Sequence, residues 1–182
     1  MFELETSEGG VRIPFGSCSL FMELPGGPVP GILDGFLTSL LGLYDLFVET
    51  GQRSVGQLFA EGIEGLKCAL PYWNYRNKWS WYGSHADLCS PAYHCQNRML
   101  LSILSRLSSD PCLAQYADWW TTDHLSRTDR IEIYLNFLVT KNVCRMRHRT
   151  WLPRSTATRQ AESVSQQSPE PLPESCGIAV RQ

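Results

Sequence analysis

The sequence predicts an all-α domain built from antiparallel helix pairs, and three observations support this fold class. Apolar residues recur at helical spacing in successive segments from Ile32 onward. Residue pairs that start helices, Ser90-Pro91 and Asp110-Pro111, separate some of these segments. The connections are short, which is typical of helices that pack antiparallel to their neighbours. The 182 residues, 43% of them apolar, suffice for one hydrophobic core.

Composition divides the chain into three parts. Residues 1–30 lack a helical period and are rich in glycine and proline, so we expect an irregular opening with a short β-hairpin around 11–15 and 18–22. Residues 31–151 form the predicted helical domain. Residues 152–182 are rich in Ser, Gln, Pro, Glu and Arg, which predicts a disordered tail.

The first two helices are predicted between Ile32 and Pro71. Gly51 ends the first helix. Ser54 and Gln57 have the spacing of a capping box, so they predict the start of the second helix. Pro71 predicts its end, because proline lacks a backbone N–H and clashes with the preceding turn. The apolar faces comprise Ile32, Phe36, Leu40, Leu43, Tyr44 and Phe47 in the first helix, and Val55, Leu58, Phe59, Gly62, Ile63, Leu66 and Leu70 in the second.

Three further helices follow a loop rich in Tyr and Trp, residues 72–90, in which 78–82 is predicted to be a short strand. In the two pairs named above, a capping side chain precedes a proline at the first helical position, so they predict the starts of the third and fourth helices. The fifth helix is predicted to begin near Thr128. The apolar faces comprise Leu113, Tyr116, Ala117 and Trp120 in the fourth helix, and Ile131, Tyr134, Leu135 and Leu138 in the fifth.

Charge and cysteine content bear on the class of protein. A net charge of −2 gives no reason to expect binding to nucleic acid or to an anionic membrane. The longest apolar run, residues 36–48, is too short to span a bilayer and contains Asp45, and the acidic first residues do not resemble a secretory signal. The seven cysteines are odd in number and lack C-x-x-C spacing, so we expect mostly free, buried thiols. The alternative is one or two disulfides in a secretory lumen.

Two groups of residues are candidates for a site. Asp34, Thr38 and Asp45 share a face of the first helix, where an unpaired buried carboxylate would be costly. Either Asp34 caps the start of the helix or the three residues form a polar wall facing a cavity. The second group is the aromatic loop with Tyr93 and His94 at the start of the third helix, where the helix dipole favours a carboxylate ligand and a phenol acting as acid or base. Alternatively, these aromatic side chains pack in the core.

Other chemistry has little support in the sequence. Nucleophile-elbow, Gly-rich phosphate-loop and H-E-x-x-H motifs are absent from the sequence. No metal site is predicted, because four residues with ligand side chains follow an order that matches no common zinc spacing: His85, Cys89, His94 and Cys95. The last helix ends in basic residues that suit a solvated helix end better than an RNA-binding patch: Lys141, Arg145, Arg147, His148 and Arg149.

The segment ILDGFLTSLLGLYD, residues 32–45, resembles the "LNGF…SLxGLYDL" signature of the C-terminal domain of D-glucuronyl C5-epimerases. Further segments resemble the same domain and follow in the same order. They are GV at 10–11, ELP at 23–25, EGIEGLK at 61–67, LPY at 70–72, WY at 81–82, PAYH at 91–94 and ADWW at 117–120. The resemblance covers about residues 9–122.

The resemblance implies an α/α toroid, of which this chain would form a part, with an active site for uronic acid residues in a polysaccharide. Enzymes of this family convert D-glucuronate to L-iduronate in precursors of heparan sulfate and heparin. They remove the hydrogen at C5 and return a proton to the opposite face, a transfer that needs no cofactor or metal. The resemblance also implies a glucuronate-containing polysaccharide as partner, a homodimer and a location in the Golgi lumen.

Position by position, the resemblance implies catalytic roles for Glu23, Tyr82 and Tyr93. It also implies substrate contacts for Asp34, Thr38, His85 and His94. Several features depart from the family pattern: Asp34 replaces an Asn, Thr38 replaces a Tyr, His85 replaces a carboxylate-binding Arg, and the N-terminal half of the animal enzymes has no counterpart here. Two alternatives therefore stand beside epimerisation: a non-catalytic glycan-binding or scaffold domain, and a polysaccharide lyase.

Overall fold

A computed structural model describes residue 5 and residues 8–22, 29–83 and 87–149, with five α-helices and two short β-hairpins. The first hairpin pairs β1 (Arg12–Phe15) with β2 (Cys18–Phe21), and the second pairs β3 (Asn74–Tyr75) with β4 (Trp79–Ser80). The helices are α1 (Leu33–Thr50), α2 (Arg53–Trp73), α3 (Pro91–Ser108), α4 (Pro111–Trp119) and α5 (Arg127–Arg149). The predicted, mostly helical fold and the first hairpin are confirmed.

Three predictions fall on residues outside the described ranges: the disordered tail, the role of Glu23 and the role of His85. The toroidal closure of the helices also stays a prediction. None of the described helices is long and apolar enough to cross a membrane.

The boundaries of α1 and α2 are correct in part. α1 ends as predicted at Gly51, whose φ of 63° is the left-handed conformation that glycine adopts without strain. α2 begins after Gln52, with no side-chain cap, so the predicted capping box at Ser54 is wrong. Pro71 does not end α2, which continues to Trp73. A proline so close to the end of a helix disturbs only its last turn, and the buried Trp73 holds that turn by donating its Nε1–H to the carbonyl of Gly31 at 3.0 Å.

The starts of α3 and α4 are confirmed. The Ser90 hydroxyl accepts a hydrogen bond from the backbone N–H of Tyr93 at 3.4 Å. The Asp110 carboxylate accepts from the backbone N–H groups of Cys112 and Leu113 at 2.9 and 3.3 Å. Each cap satisfies N–H groups that lack a partner within the helix, which explains why the local sequence is sufficient to place both boundaries.

Two hydrophobic clusters make up the core. The larger one joins the first hairpin to α1, α2, α3 and α4, and its fully buried side chains include Leu20, Leu37, Leu66, Leu101 and Leu113. The smaller cluster lies between the second hairpin and α5, and its buried members are Trp79, Leu88, Cys89 and Ile133. The aromatic loop therefore connects the helical core to α5.

The apolar face predicted for α5 is not the face that packs. Ile133 is buried and Phe137 packs beside it, whereas the predicted face is 37–60% exposed. Contacts at the helix start fix this rotation, because Asp129 forms an ion pair with Lys78 at 2.6 Å. α5 carries apolar residues on both sides, so its pattern alone does not tell which side packs. The exposed residues are Ile131, Tyr134, Leu135 and Leu138.

The prediction of mostly free thiols is wrong for the described cysteines. Cys18 on β2 and Cys68 on α2 form a disulfide, and Cys112 is disulfide-bonded as well. Cys89 is a free, buried thiol whose pKa is raised to about 12 by burial, and Cys95 is free and exposed. Cys18 and Cys68 are 50 residues apart, so only the packing of β2 on α2 brings them together.

Candidate active site

The structure brings together two of the predicted catalytic residues, Tyr82 and Tyr93. Their ring centres are 5.3 Å apart at an interplanar angle of 73°, an edge-to-face contact. Tyr82 follows β4 and is half-buried, whereas Tyr93 lies in the first turn of α3 and is 41% exposed. The pair therefore forms where the aromatic loop meets the start of a helix, and part of it is accessible to a ligand.

Backbone hydrogen bonds hold Tyr82 in place. Its N–H donates to the carbonyl of Asp87 at 2.9 Å, and its carbonyl accepts from the N–H of Leu33, the first residue of α1, at 3.1 Å. The preceding residue, Trp81, donates its N–H to the carbonyl of Trp73 at the end of α2. Tyr82 is thus fixed between two helices and a loop, which suits a residue that must be positioned accurately.

His94 is a buried residue, only 1% exposed, and it connects α3 to β4. Its Nδ1 accepts from the backbone N–H of Ser80 at 3.1 Å, and its Nε2 lies 3.0 Å from the carbonyl oxygen of Trp120. A carbonyl can only accept, so this pattern places the proton on Nε2. The imidazole also stacks on Trp79 at 3.7 Å. The substrate contact predicted for His94 would require one of these bonds to break.

Burial lowers the pKa of His94 to about 4, although the hydrogen bond to Trp120 opposes this shift. The unfolded chain binds a proton at this histidine below about pH 6.5, whereas the folded chain does so only below about pH 4. The stability that the protein gains from a neutral His94 is therefore fully present above pH 6.5, and it is lost as the pH is lowered toward 4. We expect the free energy of unfolding to be about 2 kcal/mol smaller at pH 5 than at pH 7, as measured by urea unfolding.

A His94→Gln variant should lose this pH dependence, although it is expected to be less stable at pH 7. A His124→Gln variant provides the matched control, because His124 is an exposed residue of a short 3₁₀-helix, and its pH dependence should match that of the wild type. An unchanged slope between pH 5 and 7 in His94→Gln would contradict the assignment.

Asp34 and Thr38 lie in the first two turns of α1, whose first residue, Leu33, is hydrogen-bonded to Tyr82. Ile32 is the N-cap residue and uses no side-chain cap, so the interpretation of Asp34 as the cap is wrong. The Thr38 hydroxyl is exposed and donates to the backbone carbonyl of Asp34 at 2.7 Å. One carboxylate oxygen of Asp34 is buried and has no hydrogen-bond partner among the described residues. Such an acceptor is costly to leave unsatisfied, which makes Asp34 a candidate to receive a donor from a ligand or a water molecule.

The sequence does not predict that a group of buried polar residues clusters near Tyr82. Asn97 is fully buried and donates to the sulfur of Cys89 at 3.3 Å. Asp87 is 3% exposed and forms an ion pair with Lys141 of α5 at 3.2 Å. Asn97 and Asp87 each keep one oxygen without a partner in the described part of the chain. The residues come from different elements, so no spacing in the sequence indicates the group. Within the described ranges, no three His, Cys, Asp or Glu side chains converge as they would around a metal ion.

Comparison with known proteins identifies the family. The family model described as the D-glucuronyl C5-epimerase C-terminus matches residues 1–122. The chain belongs to this family. It is 30% identical over 138 residues to a D-glucuronyl C5-epimerase of Caenorhabditis elegans, an alignment that covers 66% of this chain and 22% of that protein. It is also 27% identical over 100 residues to an uncharacterized protein of Methanocaldococcus jannaschii, covering 55% of this chain and 32% of the relative.

The family assignment divides the site into two parts. Tyr82, Tyr93, Asp34 and Asp87 lie within the matched residues 1–122, whereas α5 with Lys141 follows them. The chain spans about a fifth of the C. elegans epimerase and about a third of the M. jannaschii protein. α5 therefore lies outside the residues that the family model matches.

Proposed function

We propose that this chain is a polysaccharide uronate C5-epimerase that converts D-glucuronate to L-iduronate in a glycan of the heparan sulfate or heparin type. The observation that carries the proposal is the contact between Tyr82 and Tyr93. Both tyrosines lie in the part of the chain that matches the epimerase family, and Tyr93 has an exposed side chain at a helix start. An ionisable phenol at such a place suits proton transfer to and from a sugar.

The reaction exchanges one proton at one carbon. A base takes the hydrogen from C5, the electron pair of that C–H bond is delocalised into the adjacent carboxyl group, and an acid returns a proton to the opposite face of C5. The rings of Tyr82 and Tyr93 are in contact, so a sugar would lie against the edge of the pair rather than between the rings. The pair would then serve one face of the sugar, and Glu23 would serve the other. Positioned acid–base groups each supply about 10²- to 10⁴-fold in rate.

The contacts around Met22 support a place for Glu23 in this site. Met22, which precedes Glu23, is buried, and its side chain lies against Gly31. The backbone of Gly31 in turn lies against Gly83, the residue after Tyr82. The chain as far as Met22 is therefore close to the segment that carries Tyr82.

The disulfides and the surface of α5 support the remaining parts of the proposal. Disulfides persist in oxidising compartments, which agrees with a location in the Golgi lumen. Exposed apolar residues on α5 agree with association of two chains as a homodimer. These residues are Ile131, Tyr134, Leu135, Leu138, Val139 and Val143.

A second candidate function is glycan binding without catalysis, and Asp34 favours it. Asp34, in the first turn of the helix whose first residue is hydrogen-bonded to Tyr82, would repel an anionic sugar, and its unpartnered oxygen would accept a hydroxyl group of a sugar instead. Glycan binding and epimerisation both require the glycan to bind, so only turnover of the glycan distinguishes one function from the other.

The deciding experiment incubates the protein with a panel of glucuronate-containing polymers in D2O and follows C5 by NMR. We expect deuterium to enter at C5 and L-iduronate signals to appear on at least one polymer. Binding of a polymer without any exchange would favour the glycan-binding function. An unsaturated uronate that absorbs in the ultraviolet would identify a lyase. If the protein neither binds nor exchanges any member of the panel, the proposal is wrong.

A further inference from the structure

Lys141 occupies an unusual place for a lysine near the end of a helix. Its ammonium lies 5.5 Å from the centre of the Tyr82 ring, within the range of a cation–π contact. It also lies 3.2 Å from a carboxylate oxygen of Asp87, and its side chain is 40% exposed. The basic residues that follow Lys141 in the sequence predict a solvated helix end, whereas in the structure its ammonium lies between Asp87 and the Tyr82 ring.

Asp87 holds this ammonium in position. The Asp87 carboxylate is almost completely buried, and burying a carboxylate is costly unless a cation or hydrogen bonds compensate it. Lys141 compensates one oxygen only, because the other has no partner among the described residues. An ammonium has three N–H donors, so the bond to Asp87 leaves donors for a ligand.

The charges around Cys89 show why an anionic sugar needs this lysine. Asp34, Asp87 and Lys141 are each close enough to affect the Cys89 thiol electrostatically. Without Lys141, the Asp87 carboxylate beside Tyr82 would have no compensating cation, and it would repel a uronate. Removal of a proton from C5 also requires the adjacent carboxylate to be neutralised, which a fixed cation does well in a partly buried site.

We propose that the Lys141 ammonium, held by Asp87 beside Tyr82, binds the carboxylate of the uronate. The inference rests on the proposed function and deepens it, because it assigns recognition of the substrate's charge to a helix outside the family match. Lys141 would supply hydrogen bonds to the carboxylate while the tyrosine pair acts at C5. The preference for an acidic over a neutral sugar would then depend on a single side chain.

The test measures binding, separately from exchange, of two probes: a heparosan oligosaccharide and the same oligosaccharide with its carboxyl groups reduced to alcohols. We expect the wild type to bind the carboxylated probe at least about tenfold more tightly, the size typical of a hydrogen bond to a charged group. Lys141→Met should bind both probes equally, and Lys141→Arg should keep most of the preference. Lys67→Met is the control, because it removes another lysine that forms an ion pair, with Asp110, without touching a contact of α5. It should keep the full preference.

Lys141→Met leaves the buried Asp87 without its cation, so this variant is expected to be less stable than the wild type. The double variant Asp87→Asn/Lys141→Met removes both charges and should also bind the two probes equally. The inference is overturned if either folded variant keeps the preference, or if the wild type has none. The wild type could bind the carboxylated probe more tightly and yet show no exchange at C5. That outcome would contradict the epimerase proposal and would still support the role of Lys141.

Discussion

Replacement of Tyr93 with Phe is expected to lower the rate of C5 hydrogen exchange by about 10²- to 10⁴-fold and to leave polymer affinity nearly unchanged. The hydroxyl would move a proton only during the reaction, so its removal affects the transition state more than substrate binding. The side chain is 41% exposed, and Phe can keep the edge-to-face contact with Tyr82, so the fold should tolerate the change. Initial rates of deuterium incorporation, measured with saturating polymer, check the prediction.

The control for this experiment is Tyr134→Phe. Tyr134 lies on α5 with 60% of its surface exposed, and its replacement should leave the exchange rate unchanged. Tyr82→Phe and Glu23→Gln are expected to reduce exchange as strongly as Tyr93→Phe, because each proposed group acts on the same proton transfer. A folded Tyr93→Phe protein that keeps more than a tenth of the wild-type rate would remove this phenol from the mechanism.

Local sequence predicts those parts of the fold that local interactions determine. The caps at Ser90 and Asp110 are hydrogen bonds within one turn, and Gly51 adopts a backbone conformation that most residues avoid, so the sequence identifies all three. The prediction that Pro71 ends α2 is wrong, because burial of Trp73 stabilises the last turn of the helix by more than the proline destabilises it. The packed face of α5 depends on contacts with the second hairpin, and these lie about 50 residues away in the chain.

The candidate site is predictable only in part, for the same reason. The resemblance indicated Tyr82 and Tyr93 separately, but their contact depends on the way His94 holds α3 against β4. Lys141 and Asp87 are 54 residues apart, and neither belongs to a recognisable motif. The helical pattern of the sequence predicts that Lys141 is exposed to solvent. It does not show that Asp87, 54 residues away in the chain, lies beside this lysine in the fold.

The first hairpin, whose second strand precedes Glu23 in the sequence, packs closely against α2. Gly62 and Gly65 make this approach possible. A Cβ atom at Gly65 would overlap the backbone carbonyl of Ser19 on β2, and one at Gly62 would overlap side chains of Leu40 and Phe21. β2 leads directly to Met22 and then to Glu23. The contact between β2 and α2 therefore helps to hold the chain as far as Met22, the residue before the proposed catalytic carboxylate.

Replacement of Gly65 with Ala is consequently expected to destabilise the protein by about 3 kcal/mol, which corresponds to a fall of roughly 10 °C in Tm. The new methyl group meets backbone rather than the end of a flexible side chain, so β2 itself must shift. The disulfide from Cys18 to Cys68 joins the same two elements and restricts the shift. Thermal unfolding followed by circular dichroism gives the change in Tm.

The opposite result is expected for the matched replacement of Gly42 with Ala. Gly42 also lies inside a helix, but a Cβ atom there has open space around it. Alanine favours the helical conformation over glycine by about 1 kcal/mol, so this variant should be slightly more stable than the wild type. If Gly65→Ala were stabilised to the same extent, the close approach of β2 to α2 would be wrong.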